Sequence, residues 1–102
     1  MTQYSLSILI PQGEVFQSPV EFLTASGQLG EVGILGKHAA MIIALKRGIM
    51  KVTSPTDGKK FFVHDTGVLE VKPTHDVLAL VENAFMAADE HEAKEKLNAT
   101  AN

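Results

Sequence analysis

Ile49-Met50-Lys51-Val52-Thr53, then Pro55-Thr56-Asp57-Gly58, then Lys59-Lys60-Phe61-Phe62-Val63-His64 is the stretch on which the fold turns. Two runs rich in β-branched and aromatic residues flank a proline that presets φ and a glycine free to take a left-handed conformation. That order predicts an antiparallel hairpin. Working outward, the same pattern repeats. Ser5 to Ile10 places Leu6, Ile8 and Ile10 on one face, and Pro11-Gln12-Gly13 turns the chain into Glu14–Gln17 and then Val20–Ala25. Met41–Leu45 is a buried run that stops at Lys46-Arg47-Gly48. Downstream, Asp65-Thr66-Gly67 and Lys72–Asp76 bracket Val68–Val71, and Val77–Val81 closes the series. Short strands with turn chemistry at roughly every eight to twelve residues predict an antiparallel sandwich or barrel.

Composition agrees with one small β domain. The chain has 102 residues, 45% of them hydrophobic and only 6% aromatic, so the core is built from Val, Ile and Leu. Cysteine is absent, which rules out disulfides and Cys-ligated metal and is compatible with a reducing compartment. No apolar run approaches the roughly 20 residues of a membrane span, and the first residues lack the basic start and apolar stretch of a signal peptide. A soluble, cytoplasmic protein is expected. The net charge of −3 lies wholly in residues 82–102, because residues 1–81 balance. Lys37, Lys46, Arg47, Lys51, Lys59 and Lys60 cluster, opposed only by Asp57. No aromatic-basic interleaving accompanies them, so nucleic acid is not expected as a partner, and lysines guarding strand edges explain most of the cluster.

The period changes after Val81. Asn83 is expected to cap a helix over 83–97, dividing the chain into a sandwich at 1–82, the helix, and a frayed tail at 98–102. Glu90–Lys94 and Glu92–Lys96 pairs support the helix. Its apolar stripe, mainly Phe85, Met86, Ala88 and Leu97, is thin, so the helix needs a partner surface.

Gly27, Gly30, Gly33 and Gly36 recur at every third position and lead into Lys37-His38. This spacing predicts an irregular loop over 27–38, set on a rigid frame where function concentrates. It is not a collagen repeat, since proline is missing from the stretch. A phosphate loop needs glycine where Glu31 stands and Ser or Thr where His38 stands. A dinucleotide fingerprint needs a strand-loop-helix unit that is absent here. A plain wide connection between strands is the remaining bland reading.

Convergent reactive groups are few. His38, His64, His75 and His91 fall in different elements with no metal-site spacing. There is no cysteine nucleophile and no serine elbow. An acid pair of Glu31 and Glu70, or a pocket of His64, Glu70 and His75, would arise only through folding. The residues alone point to a binding module. In one form it is a free-standing β-sandwich taking a small ligand or metal through the glycine loop and His38.

Gly30-Glu31-Val32-Gly33-Ile34-Leu35-Gly36-Lys37-His38-Ala39, followed by Ala44-Leu45-Lys46-Arg47-Gly48, resembles the epsilon subunit of F-type ATP synthases. Leu6-x-Ile8 leading into Pro11 and Phe16 is similar to that family's opening hairpin. Gly67-Val68-Leu69-Glu70-Val71-Lys72-Pro73 is similar to a later strand, and the likeness covers about residues 3–84. The resemblance implies a flattened antiparallel sandwich of about ten short strands followed by one short C-terminal helix. It also implies a non-catalytic place in the central stalk, peripheral on the cytoplasmic face of a bacterial inner membrane. The implied partners are the gamma subunit, the polar loops of the c-ring and other subunits of the catalytic head. The contact residues it implies are Gly30, Glu31, Gly33, Ile34, Leu35, His38, Ala39 and Ile42, with Glu31 toward the ring and His38 and Ala39 near the junction of gamma and ring. No cofactor, metal or nucleotide site is implied. Gly36-Lys37 replaces the family's Pro-Gly, Ala40 stands where proline or a small acid is common, and Thr66 replaces the first glycine of the later turn. Only one helix of the family's hairpin fits, and Glu90-His91-Glu92-Ala93-Lys94-Glu95 does not match its nucleotide-binding segment. Coupling without inhibition or ATP sensing is therefore expected.

Overall fold

The structure, a computed structural model, describes residues 3–36 and 39–99. The central hairpin forms as its sequence predicts. β6 (Gly48–Ser54) pairs antiparallel with β7 (Gly58–His64), Ser54 facing Gly58. Gly58 takes φ 74°, and the Ser54 hydroxyl accepts the Thr56 and Asp57 backbone N–H groups at 3.3 and 3.2 Å. A left-handed glycine ending a three-residue loop keeps the strand twist intact.

Around this hairpin stand β1 (Tyr4–Ile10), β2 (Gly13–Val20), β3 (Phe22–Gly27), β4 (Gly30–Leu35) and β5 (Met41–Leu45). Completing the set are β8 (Gly67–Val71), β9 (Val77–Val81), β10 (Ala84–Ala87) and helix α1 (Glu90–Ala99). The strand path β10-β7-β6-β3-β5-β8-β9-β1-β2, with β4 on the free side of β3, resolves into two layers, because β3 touches β5 only at Gly27↔Leu45. One layer is β10-β7-β6-β3-β4; the other is β5-β8-β9-β1-β2. This is the expected ten-stranded sandwich. All neighbours are antiparallel except β1 and β9, which run parallel from Leu6↔Val77 to Leu9↔Leu80. Strand alternation sends Leu6, Ile8, Leu23, Ala25, Met50, Val52, Phe62, Leu69, Val71 and Ala79 inward to one shared core. Side chains also tie the layers. The Tyr4 hydroxyl donates to the Ile34 carbonyl at 2.7 Å, and the Phe16 and Phe62 rings lie 4.9 Å apart at 58°.

Two expectations are corrected. The glycine run is not an irregular loop: Gly27 ends β3, Gln28-Leu29 make a two-residue turn, and Gly30 to Leu35 form β4 in full register with β3. Gly30 at φ 131° makes so tight a reversal possible. The Phe22 ring lies over Gly33, 3.2 Å from where a Cβ would stand, so the ring supplies the cover a side chain would have given.

The helix also starts later than expected. Ala84–Ala87 pair with His64–Phe61, so their backbone groups are taken by β7 and cannot open a helix at Asn83. Asp89 is the actual cap, its carboxylate accepting the Glu92 N–H at 2.8 Å while Glu92 reaches back to the Ala88 N–H at 2.8 Å. Phe85 and Met86 thus belong to a strand. Asn98 and Ala99 extend the helix, and residues 100–102 lie outside the described residues. The partner surface the thin stripe requires is the sandwich itself: Ala93 and Leu97 pack on Ile49, Phe61, Val63, Phe85 and Ala87.

Candidate functional site

The β3–β4 turn and β5 together form a shallow groove of about 370 Å³, walled by Gly27 to Val32 and Met41 to Ala44. Of the contact residues expected from sequence, it gathers Gly30, Glu31 and Ile42. Glu31 is exposed at its rim, and Ile42 leaves 72% of its surface in water. Gly33 and Leu35 are exposed farther along β4, on the outer face that also carries Phe22, and Ala39 is exposed in the connection to β5. Ile34 is a correction: it is buried in the core, and alternation along β4 turns its side chain away from any partner. His38 and Lys37 lie outside the described residues.

Sequence reading missed Leu29, which stands fully exposed at the tip of the turn. The signal was present, since a leucine in a two-residue turn between glycines has no core to enter. It also missed a row across the outer face of the second layer. Register places Ala44 beside Val68, Val68 beside Leu80, and Leu80 beside Leu9. Their neighbours Leu45, Leu69, Val81 and Ile8 are buried, so this row must point outward. Val68 and Leu80 are 36% and 42% exposed, and Ile42 joins the row to the groove. The row makes a contiguous, partly exposed apolar strip across this layer.

The basic cluster proves to be the seat of α1 rather than only an edge guard. Arg47 donates through Nη1 to the Leu97 carbonyl at 2.8 Å and pairs through Nε with Asp65 at 3.2 Å. Lys51 meets Glu90 at 2.7 Å, which raises the lysine's pKa and lowers the glutamate's through that hydrogen bond. Glu90 also lies 3.9 Å from Lys94. Glu31 shares the cleft with Lys46, Lys51, Glu90 and Lys94, so the acid at the tip stands beside bases of its own chain.

Among the described residues, the grouping of His64, Glu70 and His75 does not assemble. His64 is buried at the end of β7, and the small cleft it lines with Arg47, Asp65 and Asn83 includes neither Glu70 nor His75. His75 sits at φ 73° in the exposed turn after β8. Among the described residues, no three His, Asp or Glu side chains converge in a way that would hold a metal ion. No helix among them is long and apolar enough to cross a membrane.

A family model described as the β-sandwich domain of the ATP synthase delta/epsilon chain matches residues 3–87. The chain belongs to that family. The match ends on Ala87, the last residue of β10, so it coincides with the sandwich. The ATP synthase epsilon chain of Nitrosococcus oceani is 38% identical over 88 residues, covering 86% of this chain and 62% of the relative. That of Stenotrophomonas maltophilia strain K279a is 37% identical over 93 residues, covering 91% and 66%. This delta/epsilon-family chain therefore spans slightly under two thirds of these relatives. A chain in the cryo-EM structure of the Euglena gracilis mitochondrial ATP synthase, comprising OSCP, F1 and c-ring, superposes with TM-score 0.79. It is 27% identical, over 99% of this chain and 66% of that one. A chain from the central stalk and c-ring of the Tetrahymena thermophila enzyme shares the fold at TM-score 0.67 and 19% identity.

Proposed function

We propose that this chain is a non-catalytic rotor subunit of an F-type ATP synthase, joining gamma to the polar loops of the c-ring so that ion-driven rotation reaches the catalytic head. Family membership supports the assignment. The observation that carries the division of labour is the join between two unlike surfaces. The apolar row Leu9, Leu80, Val68 and Ala44 suits a packed, permanent contact with gamma. The Leu29–Glu31–Ile42 tip suits a smaller contact with the ring, apolar at Leu29 and Ile42, in which the Glu31 carboxylate selects a basic partner and its register. His38 and Ala39 belong to the junction between the two. The chain works peripherally, on the cytoplasmic face, without a cofactor. Because the Glu90–Glu95 segment lacks the nucleotide motif, it does not sense ATP through that segment.

Two variants test the surfaces separately in the reconstituted complex. Val68→Glu with Leu80→Glu should weaken association with gamma by at least about tenfold, because two buried carboxylates would lie unpaired in the interface. Glu31→Lys should leave gamma association intact and cut ion-driven ATP synthesis several-fold. All three substitutions are at exposed positions, so the isolated chain should stay folded, with the thermal midpoint nearly unchanged in Glu31→Lys and a few degrees lower in the double variant, whose two carboxylates face each other across β8 and β9. Wild-type gamma binding in the first variant, or wild-type synthesis in the second, would remove the corresponding contact from the proposal.

A further inference from the structure

Glu31 and Lys51 stand on one face of the layer built from β10, β7, β6, β3 and β4. β3 lies between their strands, pairing Ser26 with Glu31 and Thr24 with both Gly33 and Lys51. Leu23 and Ala25 are buried in the core, so alternation turns Thr24 and Ser26, and with them Glu31 and Lys51, to the outer side. Neighbouring strands are about 4.8 Å apart, which sets the two backbones at least about 10 Å apart across β3. The side chains between them are short, Ser26 and Thr24, and position 33 has none. A lysine stem and a glutamate can meet over so low a floor.

The same cleft brings Glu90 of α1 to Lys51, in an ion pair of 2.7 Å. Both acids act on this lysine. Its hydrogen bond to Glu90 is the main cause of its raised pKa, and Glu31 adds a smaller attraction through space. Glu31 forms no ion pair of its own among the described residues. The other cations of the cleft are placed differently. Arg47 is held by Asp65 and the Leu97 carbonyl, and Lys94 lies 3.9 Å from Glu90 on its own helix. Lys46 is exposed at the β5–β6 turn, and whatever it contributes to Glu31 does not depend on Glu90. Lys51 is therefore the cation within reach of two acids, and α1 supplies the one that holds it.

We propose that Glu90 is a positioning residue for the tip: by engaging Lys51 it keeps the Glu31 carboxylate free for a cation on the partner. Without Glu90, the Lys51 ammonium turns across β3 to Glu31 and competes with that outside cation. A pair this exposed shifts an equilibrium only about two- to fivefold, and salt weakens it. The helix thus does more than cover Ile49, Phe61 and Val63, because its first turn sets the charge that the tip presents. The effect on function rests on the reading of Glu31 as a partner contact, whereas the exchange of Lys51 between two acids is a property of the isolated chain.

Carbodiimide cross-linking of the full chain, read by peptide mass spectrometry, reports which carboxylate Lys51 touches, since the reagent joins an amine to a carboxylate in direct contact. In the wild type the Lys51–Glu90 link should exceed the Lys51–Glu31 link. In Glu90→Gln the Lys51–Glu31 link should rise severalfold and fall again at high salt. In the reconstituted complex Glu90→Gln should lower ion-driven ATP synthesis about twofold or more, and adding Lys51→Gln should restore it. Lys51→Gln alone breaks the same ion pair and loosens α1 equally, yet leaves no competing ammonium, so it should not lower synthesis. A Lys51–Glu31 link that does not rise in Glu90→Gln overturns the inference. So does equal loss of synthesis in Glu90→Gln and Lys51→Gln, which would assign the effect to a loosened helix, and so does full synthesis in Glu90→Gln beside a loss in Glu31→Lys. A raised link with full synthesis in both Glu90→Gln and Glu31→Lys would leave the charge exchange standing and remove Glu31 as a partner contact.

Discussion

At Gly67 the outer row of the second layer depends on the absence of a side chain. A Cβ there would collide with the Leu80 carbonyl oxygen, and would stand 2.7 Å from the Val81 Cα and 2.8 Å from its Cγ1. Both obstacles are on β9, so relief requires moving a strand rather than rotating a side chain. Gly67→Ala should therefore cost about 3 kcal/mol, read as a lowered urea midpoint, with the β8–β9 amides losing protection first. An unchanged midpoint would mean that β9 can shift freely. The sequence around this glycine, Asp65-Thr66-Gly67, reads as a turn, but the reason for glycine lies in a strand 13 residues away and is not visible locally. Glu31 is a second such case. Its place at a contact was expected only from the family resemblance, and its neighbours Lys46 and Lys51 become neighbours only when β3, β4 and β6 lie side by side.

Elements were legible where local chemistry and tertiary demand agree. Met41–Leu45 and Val77–Val81 coincide with β5 and β9, because an apolar run bounded by Lys-Arg-Gly or Thr-His-Asp has no competing reading. β4 and β10 were not legible, and for one reason. Glycine every third residue in β4, and Asn-Ala-Phe-Met-Ala around β10, have weak strand propensity, and each is held extended by an entire partner strand. With β10 claimed by β7, the helix begins where Asp89 can cap it. Asp89→Ala should cost about 1 kcal/mol, confined to α1. Helical ellipticity should fall and the Ala93–Leu97 amides should exchange faster, while the sandwich keeps its urea midpoint. A matching loss in β6 and β7 would show that helix and sandwich form a single cooperative unit.

For the whole molecule the decisive question is what holds two layers together when, among the described residues, only Gly27↔Leu45 links them through strand pairing. Alternation in the sequence identifies which residues face inward, yet it cannot assign a strand to a layer, and the parallel placement of β1 beside β9 has no local signature. The shared core carries most of the cohesion, and a directional bond adds to it. Tyr4 on β1 crosses to the Ile34 carbonyl on β4 at 2.7 Å, joining strands from different layers that share no ladder. Burial of this hydroxyl raises its pKa, partly offset by a backbone hydrogen bond from Leu23, so it stays a donor throughout the physiological range. Tyr4→Phe keeps the ring and removes only the bond, leaving a buried carbonyl short of a partner at the edge strand that carries Glu31 and Gly33. The expected loss is about 1–2 kcal/mol with an unchanged denaturant slope, since the buried area is preserved. Because β4 presents the tip of the groove, the same variant should loosen the β4 amides more than those of β8, although β8 lies in the layer to which Tyr4 belongs. Equal loosening of both strands would mean that the core alone holds the layers in register and that the tyrosine bond merely accompanies it.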